Sequence, residues 1–511
     1  MRILVTLLVL AVVGIGGWQL LPQEQDDGKT IKVGTTDTIT SLDPAGAYDA
    51  GSWALFSNVF QSLLTYDTGG VSPVPDAAKE CGFSGGLTTY QCELRDGLTF
   101  PSGREMTAED VKFSFDRVKK INSEVGPASL FSTLKSVDAD GAKVTFHLSS
   151  PDATFPFKVA TGAGSIVDSS RYPADKIRED DEVDGTGPYE LTGYTEGEKA
   201  ELKPNSRYKG AVQTGSPVEL RFYEDSEALD AAWKERDVEA ATRQLPPKTL
   251  ASLNGSDPDQ RVTEADSAET RNLYLNTRSS SPLHDVKVRQ AMAWLIDRER
   301  LASSVYDNTV DPLYSLIPTG ITGHTTSFFD DYPAQNPQKA RELLTDAGVE
   351  LPVRFTYGYG QGRGAAEAEA KELKRQLEAG GLFEVTVKGY EWTDFQKRWA
   401  TGKLDAYAVG WFPDYPDPDT FGAPLIGTDS TMSTGYSSKK VDRLIRASQQ
   451  YADRSRVDGD FRKVQEAVAE DVPVIPLWQR KEYVVTSEAV GGGQYLADGN
   501  GIFRLWKLTW I

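Results

Sequence analysis

The sequence predicts an α/β protein of more than one domain, and three observations carry that prediction. A chain of 511 residues exceeds what one hydrophobic core organises and suffices for two or three domains. Residues 90–118 read in succession as strand, turn and helix. Residues 353–388 read as strand, helix, strand, the unit from which α/β lobes are assembled. Composition agrees, with 39% hydrophobic and 25% charged residues and with 46 Gly and 27 Pro to make turns. The net charge of −20 argues against nucleic acid as a partner, because phosphates demand a basic surface. No long acidic block appears, so the charge reads as a solvated exterior.

At the N-terminus, Ile3 to Leu21 is almost wholly apolar, with Arg2 before it and the polar run Gln23 to Asp27 after it. A helix of that length roughly spans a bilayer core. Trp18-Gln-Leu-Leu21 does not resemble a small-residue cleavage site, and the first cysteine, Cys81, comes too late for a lipobox. The flanks favour an uncleaved anchor with the chain outside, a cleaved signal being the alternative. Either way the folded part is exported. Residues 1–29 are thus anchor and linker.

Thr30 to Gly34 opens as an alternating strand, Leu42-Asp-Pro44 turns, and Trp53 to Leu64 has a helix-like apolar pattern. Cys81 and Cys92 flank a Gly-rich reversal, so they sit on the two arms of a hairpin. In an exported chain a disulfide is the natural reading, with two buried free thiols as the alternative. Tyr90, Cys92 and Leu94 alternate with polar residues as one face of a strand. Asp96-Gly97 and Pro101-Ser-Gly103 turn the chain. Thr107-Ala-Glu-Asp110 is a capping box ahead of Val111, Phe115 and Val118 at helical spacing. Lys143 to Leu148 is a strand, Arg178 to Asp184 a charged surface loop, and Gly185-Thr-Gly-Pro-Tyr189 starts another run of strands. Asn272 to Asn276 alternates as a strand, and Pro282 to Leu301 reads as one helix capped by Asp285. Asn336-Pro337 starts a helix that Gly348 closes. Val353 to Tyr357, Ala365 to Glu378 and Phe383 to Lys388 form the strand–helix–strand unit. Two late helices centre on Val441, Leu444, Ile445 and on Phe461, Val464, Val468, before strand-like Glu482 to Thr486 and Phe503 to Trp510.

The residue order at 90–118, the pentapeptide at 185–189 and the wording Val288-Arg-Gln-Ala-Met-Ala-Trp-Leu-Ile-Asp-Arg298 resemble the peptide-binding, family 5 solute-binding proteins of ABC importers. The landmarks run through the whole exported chain in that family's order. The resemblance implies a two-lobed periplasmic-binding-protein-like fold (type II, cluster C) with an extra subdomain in the first lobe. Lobe I then comprises 30–72, 185–271 and 482–511, the extra subdomain 73–184, and lobe II 272–481. Ligand lies between the lobes, which close over it by hinge motion. The implied role is capture of short peptides for an ABC permease, by a monomer held at the outer face of the cytoplasmic membrane through its N-terminal segment. No catalytic residue, cofactor or metal is expected.

The sharpest functional segment is Gly410-Trp-Phe-Pro-Asp-Tyr-Pro-Asp-Pro-Asp-Thr-Phe421, which leaves the apolar strand Ala406 to Val409. Strand ends commonly open on a ligand crevice. By resemblance, Asp414 is the anchor for a peptide α-ammonium and Trp411 an apolar wall. Tyr48 and Trp53 fall where the family often lines the cleft. The bland reading gives Asp414, Asp417 and Asp419 turn-fixing roles beside prolines, and makes Tyr48 and Trp53 core aromatics. For Asp417 and Asp419 the turn role is preferred. A calcium loop is excluded by the absence of the required Gly and Glu spacing.

Two further motifs are rejected. Gly82-Phe-Ser-Gly-Gly86 matches a nucleophile elbow, but a strand follows Ser84 where a helix is needed, and none of His147, His284 and His324 has a matching context. Gly360-Gln-Gly-Arg-Gly-Ala365, with Glu391 beyond the next strand, fits a dinucleotide fingerprint, yet exported proteins rarely meet dinucleotides. The rivals to a peptide receptor are a binding protein of the same fold for nickel, oligosaccharide or another solute, a peptide sensor for signalling, and a nucleotide-dependent enzyme.

Overall fold

Two long antiparallel strands, Gln260–Leu275 and Val474–Ser487, tie together an eleven-stranded mixed sheet. This computed structural model describes residues 28–511 other than 213–214, 244, 254, 363 and 497–501. The expected N-terminal anchor lies outside the described residues. Among those residues no helix is long and apolar enough to cross a membrane.

On one side of the long pair lie Ala240–Thr242, Ile31–Thr35, Val218–Phe222, Lys199–Pro204 and Tyr189–Thr195. On the other lie Ala406–Trp411, Val353–Gly360 and Phe383–Tyr390. The result is two lobes joined by crossing strands. Each lobe buries its own core. Ile31, Val33, Leu55 and Leu220 centre the first, and Leu273, Leu275, Ala370, Leu373 and Ile475 the second. Between the lobes the register of the long pair slips from Asp266 opposite Lys481 to Thr270 opposite Gln479. Such a bulge interrupts the ladder and bends the strand at 267–269.

A separate four-stranded antiparallel sheet runs Ala78–Phe83, Thr89–Leu94, Lys143–Leu148, Leu134–Asp140. Helix Ala108–Ile121 covers it, with Phe115 set edge-on to Phe131 and Phe146 at 5.0 and 4.9 Å. The capping box forms as expected: the Asp110 carboxylate accepts from the Thr107 N–H at 2.9 Å. Cys81 and Cys92 face each other across the hairpin and are joined as a disulfide. Ser84 sits in the connection of that hairpin, with no helix after it, so the elbow geometry is not built.

In the second lobe, Val353–Gly360 pairs in parallel with both Phe383–Tyr390 and Ala406–Trp411, and helix Ala366–Glu378 makes the crossover. All three strands therefore end at the face turned toward the first lobe. Glu391 serves locally, accepting from the Thr393 and Asp394 N–H groups to cap helix Trp392–Ala400.

Three elements differ from the sequence expectation. The helix at 282–301 is two helices, Val286–Ala293 and Arg298–Ser304. Asp297 starts the second by accepting from the Arg300 N–H, a local bond that competes with continued helix. The helix expected from Trp53 runs Ala50–Val59, started by Asp49, which accepts from Ser52 N–H, and is followed by strand Leu64–Tyr66. The expected final strand is a helical turn, Leu505–Lys507, and a two-residue strand, Thr509–Trp510. There Phe503, Arg504, Leu505, Trp506 and Leu508 are nearly all buried, so no two-sided alternation exists for a strand to use.

Candidate functional site

The segment after strand Ala406–Trp411 is held by its own carboxylates. Asp417 accepts from the Asp419 N–H at 2.9 Å, starting the turn Pro418–Phe421, and takes a two-pronged contact from Arg454 at 2.7 Å on each oxygen. Asp419 accepts from the Tyr415 hydroxyl and the Gln449 amide, both at 3.0 Å. Thr420 Oγ1 takes the Asp414 N–H at 3.0 Å and closes the loop. Asp417 and Asp419 are thus structural, as their position beside prolines suggests.

This loop is where the lobes meet. Tyr415 is 2% exposed and belongs to the core of the first lobe's extra subdomain, its ring 6.0 Å from that of Phe157. Nearby, the Ala153 N–H donates to the Gln449 carbonyl at 2.7 Å, a backbone bond between lobes. The molecule is therefore closed.

Asp414 lies on the seam. Its Oδ2 accepts from the Tyr48 hydroxyl of the first lobe at 2.7 Å and from Thr420 Oγ1 at 3.3 Å. Oδ1 receives no hydrogen bond from the described residues. Burial pushes this carboxyl up to about 7, against the opposing pull of Tyr48, Thr420 and the Lys158 charge. The cation whose charge acts on it has its own partner, for Lys158 Nζ lies 2.8 Å from Asp152 in a buried pair. The site is an under-compensated carboxylate in a water-poor seam, which favours an incoming cation.

Tyr48 and Trp53 are brought together beside it, rings stacked at 5.3 Å, and the Trp53 indole donates to the Ala47 carbonyl at 3.2 Å. Gly162 backs this indole so closely that a Cβ there would come within 2.6 Å of the ring. Closure leaves a cavity of about 30 Å³ walled by Trp53, Tyr66, Arg243, Phe412, Asp414 and Ile502 among others. That is room for about two waters, so a larger ligand is accommodated by lobes standing further apart. Trp411 is not among the cavity's walls; it is half-buried against the second-lobe core, its indole N–H without a partner among the described residues. Sequence reasoning missed Tyr66, Arg243, Phe412 and Ile502. Only Phe412 carried a signal, as the neighbour of Trp411 in the motif. No grouping of His, Cys, Asp and Glu among the described residues could hold a metal ion.

An α/β molecule of two lobes on crossing strands, closed over a seam with a buried acid and aromatic walls, has the architecture of a solute-binding protein. The model for bacterial extracellular solute-binding proteins, family 5, matches residues 72–433, and the chain belongs to that family. The chain is 26% identical over 466 residues to the probable D,D-dipeptide-binding periplasmic protein DdpA of Escherichia coli, covering 88% of this chain and 89% of that one. It is 25% identical over 487 residues to the dipeptide-binding protein of Pseudomonas aeruginosa, with 87% of each covered. Among solved structures, the periplasmic binding protein DppA from Helicobacter pylori in complex with the peptide STSA superposes with a TM-score of 0.85 at 23% identity. That match covers 96% of this chain and 99% of the other.

Proposed function

We propose that this protein captures short peptides outside the cytoplasmic membrane and delivers them to an ABC permease, performing no chemistry on them. The observation that carries this reading is Asp414: a buried carboxylate that, among the described residues, has one oxygen unclaimed and forms no ion pair. A peptide α-ammonium supplies the missing charge and two or three donors, a charge-assisted contact made strong by exclusion of water. Tyr48 orients the carboxylate, and Trp53 and Phe412 give the ligand apolar cover. The names of the curated relatives, which describe dipeptide-binding proteins, support the same class of ligand. Lobe I is taken as 30–72, 185–271 and 482–511, with 73–184 its extra subdomain and 272–481 lobe II. The apolar segment at 3–21 retains the protein at the membrane.

Ligand acts as the third component of the closed interface. The open form exposes Asp414 to water; bound ammonium lets it be buried charged, so peptide shifts the population toward the closed form that docks. Native mass spectrometry of the exported part, purified from peptide-rich medium, tests this. Wild type is expected to carry peptides that Asp414→Ala loses. A retained mass that is a sugar or a metal complex would move the function to another solute.

A further inference from the structure

Resting on the peptide reading above, we infer that Arg243 seats the ligand's carboxylate, so the cleft selects a small zwitterion of dipeptide size rather than the amino end of a longer chain. Arg243 lines the same small cavity as Asp414, from the opposite lobe. Its guanidinium is braced on three sides. Behind it, Nη1 donates to Asp37 at 2.7 Å; beside it, the rings of Phe412 and Phe503 lie 5.5 and 5.4 Å from its central carbon. Of the five N–H donors of a guanidinium, Asp37 engages one group only, and Nε and Nη2 donate to no described residue. A planar fork with two free donor nitrogens and a fixed plane is the geometry that meets a carboxylate.

The other charges facing Arg243 do not occupy that edge. Glu269 is taken by Arg480 at 2.7 Å. Glu482 accepts from Thr242 Oγ1 at 3.4 Å, and burial holds its carboxyl above the usual range, so it competes weakly for the guanidinium. The backbone adds a second observation. Arg243 has φ of 53°, a region that residues with side chains rarely adopt, and its carbonyl is pinned by Thr36 Oγ1 at 3.1 Å. Such a conformation persists where the surroundings over-determine it, and these cases cluster at ligand clamps. An arginine serving only as a surface ion-pair partner of Asp37 needs neither the aromatic plates nor the cavity. Because the acid and the guanidinium wall one and the same cavity, a ligand that pairs with both has to bring both of its charged ends there. A long peptide cannot bring both termini there.

The test is calorimetric titration of the full exported domain with the dipeptide that gives the largest melting-temperature rise in a screen of free dipeptides, with its C-terminal amide, and with its N-acetyl form. Wild type is expected to bind the amide about 100-fold more weakly than the acid. Arg243→Met is expected to bind the acid about 100-fold more weakly and to lose the distinction between acid and amide, while still rejecting the N-acetyl form. The wild-type comparison needs no variant, so misfolding of Arg243→Met leaves the test decisive. Equal binding of acid and amide by wild type, with the N-acetyl form rejected, overturns the role of Arg243 and keeps that of Asp414. Binding of all three alike, or of tetrapeptides in place of any dipeptide, overturns the zwitterion reading; indifference to acetylation also removes the peptide reading on which it rests.

Discussion

At the scale of single residues, Asp414 controls both affinity and its dependence on pH. Asp414→Asn keeps the shape and removes the charge, so peptide affinity is expected to fall by about 100-fold, read by calorimetry, with little change in the melting temperature of the free protein. The sign of the pH effect follows from where the proton is held. Closing the lobes without ligand raises this carboxyl from its ordinary 3.8 to about 7, so the closed empty form binds a proton that the open form releases. Empty closure therefore carries no penalty below about pH 4, a growing one between 4 and 7, and its full penalty above that. Proton and ammonium compete for one carboxylate. Because the free receptor is open and its carboxyl there keeps the ordinary 3.8, peptide binding is expected to hold from neutrality down to about pH 4 and to weaken below it, by at most about tenfold per pH unit, and Asp414→Asn is expected to flatten that slope. A slope unchanged in the variant would place the responsible proton elsewhere.

Among the elements, the hairpin 78–94 and the loop after Trp411 have separable roles. Replacing Cys81 and Cys92 together by Ser opens a short loop and is expected to cost about 2–3 kcal/mol of stability. Peptide affinity should not move, since no residue of the hairpin lines the cavity; denaturant unfolding and calorimetry separate the two effects. Tyr415→Ala should do the reverse. Its ring is buried against the extra subdomain's core in this closed form, so truncation is expected to remove about 2–4 kcal/mol from it. The expected result is a smaller peptide-induced rise in melting temperature and faster peptide release, with the free protein's own unfolding little changed. These elements were legible in the sequence to different degrees. The capping box at Thr107 and the hairpin cysteines state their partners locally, and both formed as read. The helix at 282–301 broke because Asp297, spaced as an ordinary surface acid, found the Arg300 N–H; apolar periodicity continued past it and hid the break. The C-terminal strand misled for a related reason. Its aromatic residues signal burial, and burial on every side suits a helical turn as well as a strand.

For the whole molecule, hinge motion is expected at the bulge between Asp266 and Thr270 in the two crossing strands. Peptide is expected to lower the radius of gyration of the open receptor in small-angle X-ray scattering, and an unchanged radius would contradict hinge closure. What the sequence determined by itself was whatever is written in neighbours a few positions apart: strand and helix period, caps, turns, the hairpin, and the strand-end loop that carries Asp414. The resemblance added the order of the lobes. Only the tertiary structure decided which groups share the seam. Tyr48 reaches Asp414 across 366 positions, Arg243 arrives from another loop of the first lobe, and Trp411, the motif's most conspicuous aromatic, turns to its own core. Local pattern is set by backbone hydrogen bonds and side-chain period, which act over a turn or a strand. The company a buried carboxylate keeps is set by how two lobes close, and that depends on packing between residues that no periodicity connects.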